Sequence, residues 1–110
     1  ILHRDVSGGN ILILPRICGD DNGSYIAWCG VLADWEMSKP LDNVSGEARQ
    51  PERTGTWQFL SVAMLSRSKE VEICDELESF FYVILYYAVR YLRSNIDDGI
   101  IGEWIYTFFD

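Results

Sequence analysis

Asp5 and Asn10 stand five positions apart in the run His3-Arg4-Asp5-Val6-Ser7-Gly8-Gly9-Asn10, which leads into the apolar pair Ile11-Leu12. A carboxylate in such a loop can accept a proton or orient a hydroxyl. A side-chain amide beside it offers an oxygen to a hard cation. A second acid, Asp34, closes the apolar run Val31-Leu32-Ala33 and is followed by Trp35 and Glu36. Mg²⁺ takes hard oxygen ligands and is commonly held by one or two protein carboxylates, so Asp34 and the Asn10 amide oxygen form a suitable donor pair. The lone histidine, His3, has no second ligand at a zinc spacing.

These groups are far apart in sequence and need a positioning element. Residues 11–14 read as a short strand ended by Pro15. Asp20-Asp21-Asn22-Gly23 is a strong turn signal, with Asn-Gly expected to supply the positive-φ pair. Residues 25–33 read as the return strand, with Trp28, Val31 and Leu32 half-buried. The resulting hairpin brings Asn10 and Asp34 together at its open end, with an exposed tip. Residues 36–54 are polar and rich in breakers, and read as a long loop. A helix follows from Asp75, with Asp75 as N-cap and Glu78 completing a capping box. Its residues are apolar on nearly every face, which predicts a buried helix. A break at 95–99 precedes a second apolar segment at 100–109. The fold class expected is α+β.

Four blocks occur in order: HRDVSGGNIL, ADWE, RTGTWQFLSVAML and DELESFFYVILYY. Together they resemble the fungal-type protein kinase family over residues 1–92. The first resembles the H-R-D catalytic loop with Asn at the fifth position after Asp, and the second stands where kinases carry D-F-G. The third resembles the end of an activation segment. The fourth resembles the start of the central helix of the larger kinase lobe, closest to its casein-kinase-like form.

The resemblance implies a protein-kinase-like C-lobe fragment whose hairpin carries the catalytic and metal loops and whose central helix is buried. It implies ATP and Mg²⁺ as cofactors and protein serine or threonine hydroxyls as acceptors. Asp5 would then be the catalytic base, Asn10 and Asp34 the magnesium and nucleotide-binding residues, and Arg4 the partner of a phosphorylated activation segment. Thr56 would set its hydroxyl against Asp5. Ser38, Ser45, Thr54 and Thr56 are the candidate phospho-acceptors. Several positions depart from the general kinase pattern: Ser7 replaces a frequent lysine, Glu36 a glycine, and Ser61-Val62-Ala63 the A-P-E triplet. Glu76 stands where an aspartate usually contacts the catalytic-loop backbone, a role that either Glu76 or Asp75 could take.

Residues 1–110 are expected to form a partial kinase domain, because the sequence starts almost at the catalytic loop and contains no Gly-rich phosphate loop. The missing N-lobe of the same kinase and a protein substrate are the expected partners. The isolated fragment is expected to be inactive and poorly soluble. A net charge of −8 argues against nucleic acid or an anionic membrane as partner. The apolar stretch at 80–89 is well short of the roughly 20 residues a membrane-spanning helix needs. Cys18, Cys29 and Cys74 are odd in number and lack a metal-ligand spacing, which suggests free, buried thiols and an intracellular setting, cytoplasmic or nuclear. Two alternatives stand beside this reading. One is a small-molecule phosphotransferase of the aminoglycoside or choline type, which shares the Asp-to-Asn spacing. The other is a catalytically inactive, kinase-like binding fragment.

Overall fold

A computed structural model describes residues 1–41, 55–66 and 70–109. It is α+β: strands β1 (Ile11–Asp20) and β2 (Gly23–Leu32) are followed by helices α1 (Val62–Leu65), α2 (Ile73–Tyr91) and α3 (Asp98–Phe109). Two short 3-10 turns, Gly8–Asn10 and Trp57–Phe59, flank the working parts of the chain.

The strands form one antiparallel hairpin in continuous register from Ile11↔Leu32 to Asp20↔Gly23. It runs straight through Pro15, which pairs with Trp28 and is tolerated because a two-stranded sheet consists only of edges. The tight turn is Asp21-Asn22. Only Gly23 there has positive φ, at 141°, so the expected Asn-Gly pair is shifted by one residue. The Asn22 amide is held by the Asp20 carboxylate at 2.9 Å, an Asx turn that does not require Asn22 to become left-handed. Trp28 and Val31 are exposed, against the half-buried expectation, because no second layer covers this sheet among the described residues.

Helix α2 begins three residues earlier than expected. Its N-cap is Glu72, and Asp75 occupies N3 of the capping box, with Oδ2 accepting from the Glu72 N–H at 2.8 Å. Asp75 is the reciprocal partner of the box rather than its cap, and Glu78 turns to other work. The expectation of a buried helix also fails. Asp75, Ser79 and Val83 form a single buried line at four-residue spacing, whereas Leu77, Phe81 and Ile84 are 58–68% exposed. The expected break at 95–99 lies earlier, between Tyr91 and Asp98.

The apolar core is small: Phe59, Val83 and Phe109, with Ile11, Tyr82, Leu85 and Tyr86 packed against it. Tyr86 makes T-shaped contacts with Phe59 at 5.8 Å and Phe109 at 5.0 Å, so one ring joins the second 3-10 turn, α2 and α3. A radius of gyration of 17.9 Å exceeds the ~13 Å of a compact chain this long, consistent with so limited a core. Against the expectation of buried thiols, none of the three cysteines is buried: Cys18 and Cys29 are half-exposed on the open hairpin and Cys74 faces solvent.

Candidate active site

The hairpin brings the two polar loops together through backbone bonds. Below the Ile11↔Leu32 pair, the Ala33 N–H donates to the Asn10 carbonyl at 2.7 Å, which sets Asp34 next to the Asn10 backbone. His3 makes a second tie. It is almost fully buried, its Nε2–H donates to the Ala33 carbonyl at 2.8 Å, and its Nδ1 accepts from the Asp5 N–H at 3.2 Å. Those two partners fix the neutral tautomer and make His3 a staple between the loops. Trp35 packs edge-on against it at 4.7 Å and donates Nε1–H to the Leu32 carbonyl.

Asp5 is the point of convergence. Its Oδ1 accepts both the Thr56 N–H at 2.9 Å and the Thr56 hydroxyl at 3.1 Å. Its Oδ2 accepts from the Asn10 amide at 3.1 Å, and the same amide nitrogen donates to the Asp5 carbonyl at 2.9 Å. A carboxylate has about four lone-pair directions. Three are taken, leaving one on Oδ2.

The two Asp5 oxygens around the Asn10 amide also fix its orientation, since a reversed amide would set oxygen against oxygen. Asn10 Oδ1 therefore has no hydrogen-bond partner among the described residues, and neither does the exposed Asp34 carboxylate. A neutral oxygen and a carboxylate, both uncommitted and on adjoining loops, suit a hard divalent cation. The residues present therefore fit Mg²⁺.

Arg4 and Asp34 are the two non-glycine residues with positive φ among those described, at 72° and 60°. Such a conformation costs roughly 1–2 kcal/mol. For Arg4 the main anchor is Glu76 of α2, whose Oε1 accepts the Arg4 N–H at 2.5 Å. Of the two acids considered for that contact, Glu76 makes it. Among the described residues the Arg4 guanidinium reaches only the Met37 carbonyl, at 3.4 Å. Of the candidate phospho-acceptors, Ser45 and Thr54 lie outside the described residues; Ser38 donates its backbone N–H to the Trp35 carbonyl.

The anchor that replaces A-P-E escapes sequence reasoning. Ser61 is fully buried and donates its hydroxyl to Asp75 Oδ1 at 2.7 Å, while its Oγ accepts from Met64 N–H to cap α1. Glu78 adds a second tie by accepting the Val62 N–H at 3.0 Å, and it also accepts the Tyr82 hydroxyl at 2.8 Å. That phenol is raised above its ordinary pKa, first by the bond to Glu78, then by burial and by the nearby negative charge. A serine preceding a short apolar helix was the available sequence signal.

Two cavities and one acidic cluster define what the site is not. A cavity of about 20 Å³ beneath Arg4, Gly55 and Glu76 has room for about one water. A larger open groove of about 610 Å³ lies between the end of α2 and α3 and is lined by none of the candidate site residues. Ligand atoms of Glu72, Cys74 and Asp75 lie within 4.8 Å of one another, but they are engaged in the α2 capping network. Among the described residues no helix is long and apolar enough to cross a membrane.

No curated protein and no solved structure matches the chain. A family profile described as fungal protein kinase matches residues 1–88, a span that includes the catalytic loop, the hairpin, Thr56 and most of α2. With four-fifths of its length matched, the chain belongs to the fungal protein kinase family.

Proposed function

We propose that this chain carries the phosphoryl-transfer segment of an ATP-dependent protein serine/threonine kinase, with α2 as the central helix of a kinase-like C-lobe. The observation that carries this reading is the bonding around Asp5. With Oδ1 saturated by Thr56 and Oδ2 half-used by Asn10, one acceptor direction remains, and it suits a substrate hydroxyl. Asp5 orients that hydroxyl and takes its proton as the oxygen attacks phosphorus. Asn10 Oδ1 and Asp34 would hold Mg²⁺, which supplies charge neutralisation on the transferring phosphates. Thr56 keeps Asp5 from rotating, and His3 keeps the metal-side loop in register with the base.

The protein-acceptor reading rests on Thr56, because the residue that saturates Asp5 Oδ1 comes from the later segment resembling an activation loop. That segment, held by Ser61 and Glu78, would form the floor for a peptide. The Gly-rich loop and lysine of the phosphate cradle would come from an N-lobe encoded upstream of Ile1, and we propose the segment acts together with it.

The test is γ-phosphate transfer by the full-length gene product that carries this segment, on generic protein substrates. Transfer that requires Mg²⁺ and collapses in both Asp5→Asn and Asp34→Asn is the expected result. Transfer to small alcohols but not to protein would replace the acceptor assignment with a small-molecule one. Binding without any transfer would identify an inactive relative.

A further inference from the structure

Gly8 opens the 3-10 turn Gly8–Asn10 that carries Asn10, and its φ lies outside the left-handed region. Its backbone would therefore accept any L-residue. The neighbour would not. A Cβ built on Gly8 lies closer than 3 Å to three atoms of the Tyr87 ring and hydroxyl, so the end of this α2 side chain rests against the loop backbone. Tyr87 is itself held on two sides: it stacks on Tyr91 at 5.7 Å with planes 20° apart, and meets Tyr86 edge-on at 5.3 Å. Swinging the ring away to admit a methyl group would give up both contacts.

From this we infer that Tyr87 is a positioning residue for the catalytic loop, acting through its contact with Gly8. Glu76 grips the loop at Arg4, before Asp5. Tyr87 bears on it at Gly8, between Asp5 and Asn10. The pair of contacts from one helix, eleven residues apart, fixes the loop at two points and so fixes the Asp5–Asn10 geometry. Because conformation at Gly8 is permissive, the need for glycine comes from the Tyr87 ring, which supplies the three nearest atoms. A size swap can isolate it.

The inference rests on the kinase reading, and the test separates the two. Gly8→Ala, Tyr87→Ala and the double variant are compared in the full-length protein by steady-state kinetics and by hydrogen exchange over residues 3–12. Gly8→Ala is expected to lower kcat about tenfold with KM for protein substrate within twofold, and to speed exchange in the loop. Tyr87→Ala, which removes the contact, is expected to lower kcat and speed loop exchange to a similar extent, and the double variant is expected to match Tyr87→Ala, because the added methyl group then has room. A Gly8→Ala or a Tyr87→Ala protein with unchanged kcat and exchange would overturn the inference, as would a double variant in which the two losses add. If exchange responds as expected but the wild type transfers no phosphate, the positioning contact stands and the kinase reading falls.

Discussion

Glu76 ties the start of the catalytic loop to α2 across 72 residues of chain, which makes Glu76→Ala the most informative single perturbation. The bond is short and has a charged acceptor, a class worth about 1.5–3 kcal/mol. It also holds Arg4 at φ 72°, a conformation that costs roughly 1–2 kcal/mol outside glycine. Without the acceptor nothing offsets that cost, so the loop relaxes towards an ordinary backbone and carries Asp5 away from Thr56. At about 1.4 kcal/mol per tenfold, kcat/KM should fall by roughly ten- to a hundredfold. With a urea m-value of about 2 kcal/mol/M, the unfolding midpoint should drop by about 1 M. Glu76→Asp is the stricter test. Removing one methylene retracts the carboxylate by roughly 1.3 Å, beyond hydrogen-bond reach unless α2 shifts. Its kcat/KM should lie close to that of Glu76→Ala, although it keeps the charge. An aspartate variant with full activity, or an alanine variant within twofold of wild type in both assays, would refute the argument.

Thr56→Val keeps the backbone N–H on Asp5 Oδ1 but removes the hydroxyl, so kcat should fall roughly ten- to a hundredfold, the worth of one hydrogen bond to a charged acceptor; Thr56→Ser should retain activity in the same assay. Ser61→Ala removes a fully buried hydroxyl from Asp75 and from the α1 cap, and should lower stability by about 1–3 kcal/mol in urea unfolding. The Tyr82 phenol, raised above 10.0 when folded, binds its proton more tightly than in the unfolded chain. Its contribution is therefore fully present below pH 10.0 and is lost as pH rises through the folded-state value. Phenolate absorbance should show a late-titrating tyrosine, and Glu78→Gln should move that titration back towards the ordinary range.

Local signals suffice where residue type and spacing act alone, as in the hairpin that gathers Asn10 and Asp34. The Thr56 contact with Asp5 joins residues 51 apart and is legible only through the family resemblance. Failures came where the answer depends on what lies on the other side. The apolarity of α2 points to burial, but only Asp75, Ser79 and Val83 are buried on it, and no periodicity within a helix announces which faces are covered. The α2 start was misplaced because Asp75 suits both N-cap and N3, and the choice is made by Ser61, fourteen residues away. Sequence offered both Glu76 and Asp75 for the loop contact. Their duties divide because Asp75 is already bonded to Ser61 and to Glu72, which leaves Glu76 facing Arg4.

That division explains how a longer side chain can hold the loop. Adjacent residues on a helix point about 100° apart, so Asp75 and Glu76 serve different neighbours from one turn. Asp75 looks to the segment that ends in Ser61; Glu76 looks to Arg4. Phe59, two residues before Ser61, is anchored in the core beside Val83, and its N–H closes the turn onto the Thr56 carbonyl at 2.9 Å. Thr56 in turn saturates Asp5. The chain of contacts thus runs from the buried line of α2 through Ser61, Phe59 and Thr56 to one side of Asp5, and through Glu76 and Arg4 to the other. Both routes begin at neighbouring residues of one helical turn. The orientation of Asp5 therefore depends on how α2 is seated as well as on the Asn10 amide within the loop itself.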